Sequence, residues 1–311
     1  MSAQENELRL IRIFQPGTNF IYLDGQEYIS EICSKPYPQT PGGEPITDVY
    51  LQARSITSNN VLNLKISLKK VGWEFIKNHM SESDFNDIFF DDSDNQIQFY
   101  LNQSQRLLMN IPVIDLGNDN KINRKMNNGS ITLGWEMMIS NRPRGLSLGI
   151  LPDHYVREAI LGEHMEERRR NAVVNGEIVN NSGIPTHVLE MDIDENTTRE
   201  QIFQGLMTVE EFIFQYQNNL NVILKANNYR SLSRKSSKGR CDGQRYLFVT
   251  NKWRSDGNCL SCRLDFNFPF QRNNRSRIDL EDSLTQLGIN IRNVELDQIR
   301  ICDDVLQNHQ L

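Results

Sequence analysis

Long apolar runs are missing from this 311-residue chain. None approaches the roughly 18 residues that a membrane-spanning helix requires, so no membrane partner is expected. A basic excess is missing too: 34 lysines and arginines stand against 40 aspartates and glutamates, a formal charge of −6. That excludes a coat binding nucleic acid over its whole surface, but not an enzyme that gathers its cations on one face. Cysteine is scarce and odd in number, five in all. This argues against a disulfide framework and for buried thiols in a reducing compartment. Residues 2–7 are polar and acidic with no apolar stretch of the signal-peptide kind behind them, so a cytoplasmic location is expected.

Several chemical signatures are absent as well. No repeat has a solenoid or propeller period. Gly42-Gly43-Glu44-Pro45 lacks the lysine and the following helix of a phosphate-binding loop, and no dinucleotide fingerprint occurs. His79, His154, His164, His187 and His309 are scattered without paired spacing. A histidine-based triad cannot be assembled from them, and structural roles are expected. His154 and His164 fall on a predicted helix over 153–170 whose Glu166-Glu167 and Arg168-Arg169-Arg170 read as a solvated charged end.

What is present is a mixture of helical and extended patterns. Residues 5–14 place Leu8, Ile11 and Phe14 on one side of a short amphipathic helix. Residues 20–34 read as a hairpin turning at Asp24-Gly25. The spacing predicts helices over 72–90, 95–109 and 279–287, and over 207–226 with Thr208 as N-cap. Strands are predicted over 171–193, and a second hairpin over 245–268 turns at 255–258. The fold class is mixed, α/β or α+β, divided near 115 into residues 1–115 and an α+β region over 116–311.

Chemistry concentrates in residues 42–70, GGEPITDVYLQARSITSNNVLNLKISLKK. In the second strand, Leu62, Leu64, Ile66 and Leu68 face one way, and Asn63, Lys65, Ser67 and Lys69 the other. A turn centred on Ser58-Asn59 sets Asp48 beside Lys69, with Lys65 opposite Gln52. A carboxylate next to an ammonium suits phosphodiester hydrolysis. The acid holds Mg²⁺, which polarises the phosphate and acidifies a bound water, while the lysine orients that water or balances charge in the transition state.

This stretch resembles the PD-(D/E)xK nuclease superfamily, over about residues 20–80. Asp48 matches the metal-binding aspartate, with Thr47 where proline is common. Ser67-Leu68-Lys69 matches the (D/E)xK element with serine in the acidic position; a second register reads Asn63-Leu64-Lys65. The resemblance implies a restriction-endonuclease-like core, a central mixed sheet flanked by helices, within the first 115 residues. It also implies a Mg²⁺-dependent deoxyribonuclease, of the sequence-specific restriction type, acting on DNA as a homodimer. Asp48 and Lys69 would be catalytic. The second acid would come from Glu44 or Glu74, or else from Glu27 or Glu31, so that Asp48, Glu44 and Glu74 form the metal set. The alternative is a non-catalytic structural or interaction protein, of phage or bacterial origin, that carries a nuclease-like hairpin. Its acidic stretch from Glu74 to Asp92 would then be a partner surface.

Two further stretches carry signals. Residues 225–254 hold nine basic residues against the single acid Asp242, with Tyr229, Tyr246 and Trp253 interleaved. Arg230, Arg234, Lys235, Lys238 and Arg240 in its serine-rich middle are candidate DNA contacts, by charge alone. Arg272, Arg275 and Arg277 could extend that face. Cys259 and Cys262, with Cys241 upstream, invite a zinc reading, but an offset of three on one strand sends the two thiols to opposite faces. Buried thiols are the expectation there.

Overall fold

The computed structural model describes residues 2–77, 80–109, 111, 113–115, 130–142, 146–229, 245–266, 269–289 and 299–302. In chain order the elements begin with α1 (Ala3–Ile13), β1 (Asn19–Ile21), β2 (Glu27–Ser34), β3 (Val49–Ser55), β4 (Val61–Lys69) and β5 (Phe75–Lys77). Next come α2 (Glu82–Ile88), α3 (Ser93–Leu108), β6 (Ile114–Asp115), β7 (Ser130–Ser140) and β8 (Leu146–Ile150). They continue with α4 (Asp153–Leu161), α5 (Glu167–Arg170), β9 (Val173–Val174), β10 (Glu177–Ile178), β11 (His187–Glu190), α6 (Arg199–Gln204), β12 (Leu206–Thr208) and α7 (Val209–Tyr216). The last are β13 (Asn221–Tyr229), β14 (Tyr246–Leu247), β15 (Val249–Asp256), β16 (Cys259–Asp265), β17 (Gln271–Arg272) and α8 (Asn273–Gln286). The fold is mixed α and β.

Two compact units interleave along the chain: Met1–Glu74 with Leu151–Leu220, and Phe75–Ile150 with Asn221–Leu311. The chain therefore does not divide once near residue 115. It leaves the first unit after β4, returns at Leu151, and leaves again after Leu220.

The first unit is built on a six-stranded sheet in the order β1-β2-β3-β4-β11-β12. Its pairs are antiparallel except β4 with β11, which run parallel and are joined by a long excursion of the chain. Alternation along β3 and β4 sends Val49, Leu51, Ala53, Leu64 and Ile66 to one face. There they meet Leu10 of α1, Phe14 just after it, and Ile202 and Phe203 of α6. Burying each such side chain stabilises the fold by about 1.5–3 kcal/mol.

Helix α1 begins with a capping box in which Ser2 and Glu5 exchange hydrogen bonds. Its buried positions are Asn6 and Leu10, with Phe14 just beyond its end. The expected stripe through Leu8 is rotated, and Leu8 is 47% exposed. Asn6 decides the orientation. Its amide donates to the Met191 carbonyl at 3.2 Å and accepts from the Ile193 N–H at 3.2 Å, tying α1 to the chain that leaves β11.

The β1–β2 turn is one residue longer than Asp24-Gly25 alone. Tyr22 donates to the Gln26 carbonyl, and Gly25 takes the left-handed φ of 75° that closes a three-residue loop.

In the second unit β7 is the hub of a sheet ordered β16-β15-β7-β13-β8, with β5 and β6 also pairing to β7. Two predicted helices are corrected here. Within 72–90 the chain first forms β5, where Phe75 pairs with Ser140 and Lys77 with Ile139, and only α2 is helical. Within 207–226 the Thr208 capping box does start α7, but that helix ends at Tyr216. Residues 221–229 instead form β13, paired on both sides by β7 and β8. Its consecutive Val222, Ile223 and Leu224 are all buried, and such a doubly covered strand has the same apolar run as a buried helix.

The 255–258 turn is as expected: Asp256 faces Cys259 across Gly257-Asn258. The thiol expectation is not met at Cys259, which forms a disulfide with Cys302. That bond ties the chain at 299–302 to β16, where Leu260 and Ile301 also bridge. Zinc at a Cys259–Cys262 pair is thereby excluded.

Candidate active site at the head of a hairpin

The hairpin of β3 and β4 presents the residues singled out by sequence, in a register two positions from the expected one. Val49 faces Ile66, Tyr50 faces Lys65 and Gln52 faces Asn63. Extending that register brings Ser67, and not Lys69, beside Asp48. The cause lies in the turn. The Ser55 N–H donates to the Asn60 carbonyl at 2.9 Å, and the Ser55 hydroxyl accepts from the Thr57 and Ser58 amides, so the loop is the four residues 56–59. A shift of two residues keeps every side chain on its face, and Ser67, Lys65 and Lys69 still share the Asp48 side. That side is not an open polar surface, however, because Ser67 is buried.

Asp48 sits where the chain enters β3. Its N–H donates to the Ile66 carbonyl at 2.9 Å, and its Oδ2 accepts from the Leu68 N–H at 2.7 Å and from the Ser67 hydroxyl at 3.5 Å. Among the described residues, the hydrogen bonds to its carboxylate all fall on Oδ2. Burial pushes the carboxyl up to about 6, against the opposing pull of Lys69 and the Leu68 N–H. Glu7 raises it further and Lys35 lowers it. Lys69 is thus an electrostatic partner of Asp48 without being its cross-strand neighbour.

Glu7 is an acid whose charge acts on Asp48 and that sequence reading did not single out. It lies on α1, one residue after the buried Asn6 and three before the buried Leu10, and so at the shoulder of the buried stripe. Lys35, directly after β2, places its Nζ 2.9 Å from Glu7 Oε2 and 3.7 Å from Glu44 Oε2. The usable signal was the i, i+4 spacing of Asn6, Leu10 and Phe14, which sets Glu7 toward the sheet.

The other proposed acids stand elsewhere. Glu44 is 78% exposed and reaches the cluster only through Lys35. Glu74 ends the first unit and is not one of the charges that move Asp48 most. Glu31 is held by Arg54 at 2.6 Å and by Gln52 at 3.3 Å, and Glu27 pairs with Ile21 at the sheet edge. Among the described residues, no group of three or more His, Cys, Asp or Glu side chains converges as a metal site. Lys65 donates from Nζ to the Asn181 carbonyl at 3.0 Å, and burial lowers its pKa.

Two neighbours hold this geometry. In the parallel register Glu190 lies beside Lys69. It accepts from the Gly72 N–H at 3.2 Å, the Trp73 indole at 3.1 Å and the Tyr216 hydroxyl at 2.8 Å, and so fixes the turn that follows Lys69-Lys70. On the other side α5 grips the glycine loop ahead of Asp48. Arg168 donates to the carbonyls of Thr40, Pro41 and Gly42, and Arg169 donates to that of Glu44 at 3.2 Å. The Gly183 carbonyl accepts from Ile46 and Thr47, both at 3.1 Å. Arg169 is buried, which corrects the expectation of a solvated charged end.

The candidate DNA contacts Arg230, Arg234, Lys235, Lys238 and Arg240 lie outside the described residues. Of the basic residues around them, Lys225 stands over the Phe75 ring and Lys252 is 3.5 Å from Asp265. Arg277, in α8, pairs with Glu281 at 2.8 Å. No described helix is long and apolar enough to cross a membrane. Compared with protein-family models, curated proteins and solved structures, the chain has no significant match.

Proposed function

We propose that this chain is a Mg²⁺-dependent deoxyribonuclease whose site lies where β3 and β4 meet α1. The observation that carries the reading is the Asp48 carboxyl at the head of the hairpin, held through Oδ2 by the Leu68 N–H and the Ser67 hydroxyl, with the charges of Lys69 and Glu7 acting on it. Glu7 takes the place of the acid that Ser67 does not supply. The mixed sheet, with β4 and β11 parallel and α1 and α6 on one face, supports a restriction-endonuclease-like core.

The donor set suits a hard divalent cation. Mg²⁺ usually needs only one or two carboxylates, because waters and substrate phosphates complete its shell. Among the described residues the hydrogen bonds of Asp48 fall on Oδ2, the charge of Glu7 acts on it, and the Lys35 ammonium stands between Glu7 and Glu44, where positive charge is favoured. A bound Mg²⁺ would supply phosphate polarisation and a more acidic water. The protein's own part is then positional. The Leu68 N–H and the Ser67 hydroxyl hold Asp48 Oδ2 and leave Oδ1 to the cation. Lys69 orients the attacking water or balances charge on the phosphate. Arg230, Arg234, Lys235, Lys238 and Arg240 would contribute salt-sensitive contacts to the DNA backbone.

The test is incubation of the full chain with plasmid and phage DNA in Mg²⁺ and in EDTA, with Asp48→Asn, Lys69→Met and Glu7→Gln alongside. Cleavage in Mg²⁺ alone, lost in all three variants, is the expected result. Cleavage unaffected by Asp48→Asn and Lys69→Met refutes the assignment. DNA left intact by the wild-type protein over a broad set of sequences favours the non-catalytic alternative.

A further inference from the structure

We propose that the Cys259–Cys302 disulfide is a redox-controlled latch that holds residues 299–302 against the outer edge of β16. The latch belongs to the second unit and takes no part in the chemistry proposed for Asp48. β16 is the end strand of the sheet ordered β16-β15-β7-β13-β8, paired along one side by β15. Its other side meets the chain at 299–302. The Leu260 N–H donates to the Arg300 carbonyl at 2.8 Å, and the Leu260 carbonyl accepts from the Cys302 N–H at 3.0 Å. Ile301 and Leu260 thus form an isolated parallel bridge, and the disulfide closes it beside Leu260.

What the bond holds is small, and what it leaves untouched is large. The segment's backbone grip is two hydrogen bonds around a single residue, and its buried side chains are Ile299 and Cys302. So short a pairing does not keep a chain end on a sheet by itself. β15, by contrast, pairs with β16 from Thr250–Asp265 to Asp256–Cys259. Ser276 of α8 in turn donates to the Asn251 carbonyl of β15 at 2.7 Å. Cleaving the bond therefore frees the segment and leaves the sheet its own contacts.

The chemistry is thiol–disulfide exchange with a dithiol reductant. Cys259 starts β16 directly after the Gly257-Asn258 turn and is partly exposed, whereas Cys302 is buried. An attacking thiolate therefore reaches the Cys259 sulfur, and Cys302 leaves as a thiolate that takes up a proton. The second thiol of the reductant then displaces Cys259 from the mixed disulfide, and Cys259 is protonated in turn. Two electrons and two protons pass to the protein, and the dithiol becomes a disulfide. The Asp256 carbonyl lies 3.2 Å from Cys259 Sγ and 4.0 Å from Cys302 Sγ, so it can accept from either new thiol. Cys262 is buried and, at an offset of three, turned to the opposite face of the strand, so reoxidation returns to the original pair.

With the segment released, the Leu260 N–H and carbonyl face water and the β16 edge is open to backbone pairing; oxidation closes it again. The test is hydrogen exchange read by mass spectrometry on the full chain: oxidised, reduced with dithiothreitol, and as Cys302→Ser without reductant. Peptides carrying Leu260 and residues 299–302 are expected to lose protection on reduction and in Cys302→Ser, while those of β7 and β13 keep theirs. Reoxidation should restore protection in wild type and not in the variant. Alkylation of the reduced native protein should mark Cys259 and Cys302 and spare the buried Cys33 and Cys262. The reduced wild type carries the test even if Cys302→Ser does not fold.

A bond that dithiothreitol cleaves only after the protein unfolds overturns the latch, and so does reduction that leaves Leu260 protected. Exchange that rises through β7 and β13 as well would make the disulfide a staple of the whole unit, which equally refutes it. A digest of the oxidised protein that holds no Cys259–Cys302 linked peptide removes the latch altogether.

Discussion

Replacing Asp48 with asparagine removes a shielded charge while keeping the volume and the carbonyl oxygen that the Leu68 N–H uses at 2.7 Å. The Asp48 carboxyl is pushed from an ordinary 3.8 to about 6, with burial as the main cause. A carboxyl raised in the folded state holds a proton that the unfolded chain has already released. Between about pH 4 and 6 the native state therefore binds more protons, and stability falls as pH rises through that window, then levels off. A shift of roughly two units at about 1.4 kcal/mol each gives up to about 3 kcal/mol. The assay is urea denaturation of wild type and Asp48→Asn in EDTA from pH 4 to 8, because the difference between the two curves cancels every other titrating group. Asp48→Asn should be the more stable protein at pH 8, by up to about 3 kcal/mol, and should lose that advantage toward pH 4. A difference that does not vary with pH, or a variant less stable at pH 8, would refute the reasoning.

Other outcomes follow from the same contacts. Glu7→Gln should abolish Mg²⁺-dependent cleavage and Glu74→Gln should leave it near wild type, as read by plasmid nicking; the reverse pattern would restore Glu74 as the second acid. Gly183→Ala puts a Cβ 2.0 Å from the Arg169 carbonyl oxygen. It should cost about 2 kcal/mol or more in thermal or urea unfolding, because backbone must move on both sides of the contact. Reducing the Cys259–Cys302 disulfide opens a loop of sequence separation 43. The chain-entropy argument puts the loss near 4 kcal/mol, visible as a lower melting temperature in dithiothreitol and in Cys302→Ser.

How far the fold could be read from sequence depended on whether a local signal had a competitor. The Thr208 cap and the Gly257-Asn258 turn were legible because each uses chemistry that few other conformations satisfy. Helix α1 was legible as a helix, but its facing was not. Apolar spacing favoured Leu8, whereas the buried Asn6 and its two backbone hydrogen bonds turn Leu10 inward. That rotation also hid Glu7. Residues 221–226 were read as helix because a strand covered on both faces lacks alternation. The hairpin register missed by two because a serine hydroxyl, and not a standard two-residue turn, closes the loop at Ser55. That Asp48 and Ser67 share one side of the hairpin was legible from strand parity, and the Ser67–Asp48 hydrogen bond shows it. The roles of Glu7, Lys35 and Glu190 depend on contacts between segments far apart in the chain, which no local pattern encodes.

The most direct test of the proposed site is anomalous scattering from crystals of the full chain equilibrated with Mn²⁺. The predicted result is one peak bonded to Asp48 Oδ1 and to a Glu7 carboxylate oxygen, at the roughly 2.0–2.3 Å expected of hard divalent cations. Saturating Mn²⁺ with no peak between Asp48 and Glu7, or a peak held by Glu74 instead, would contradict it.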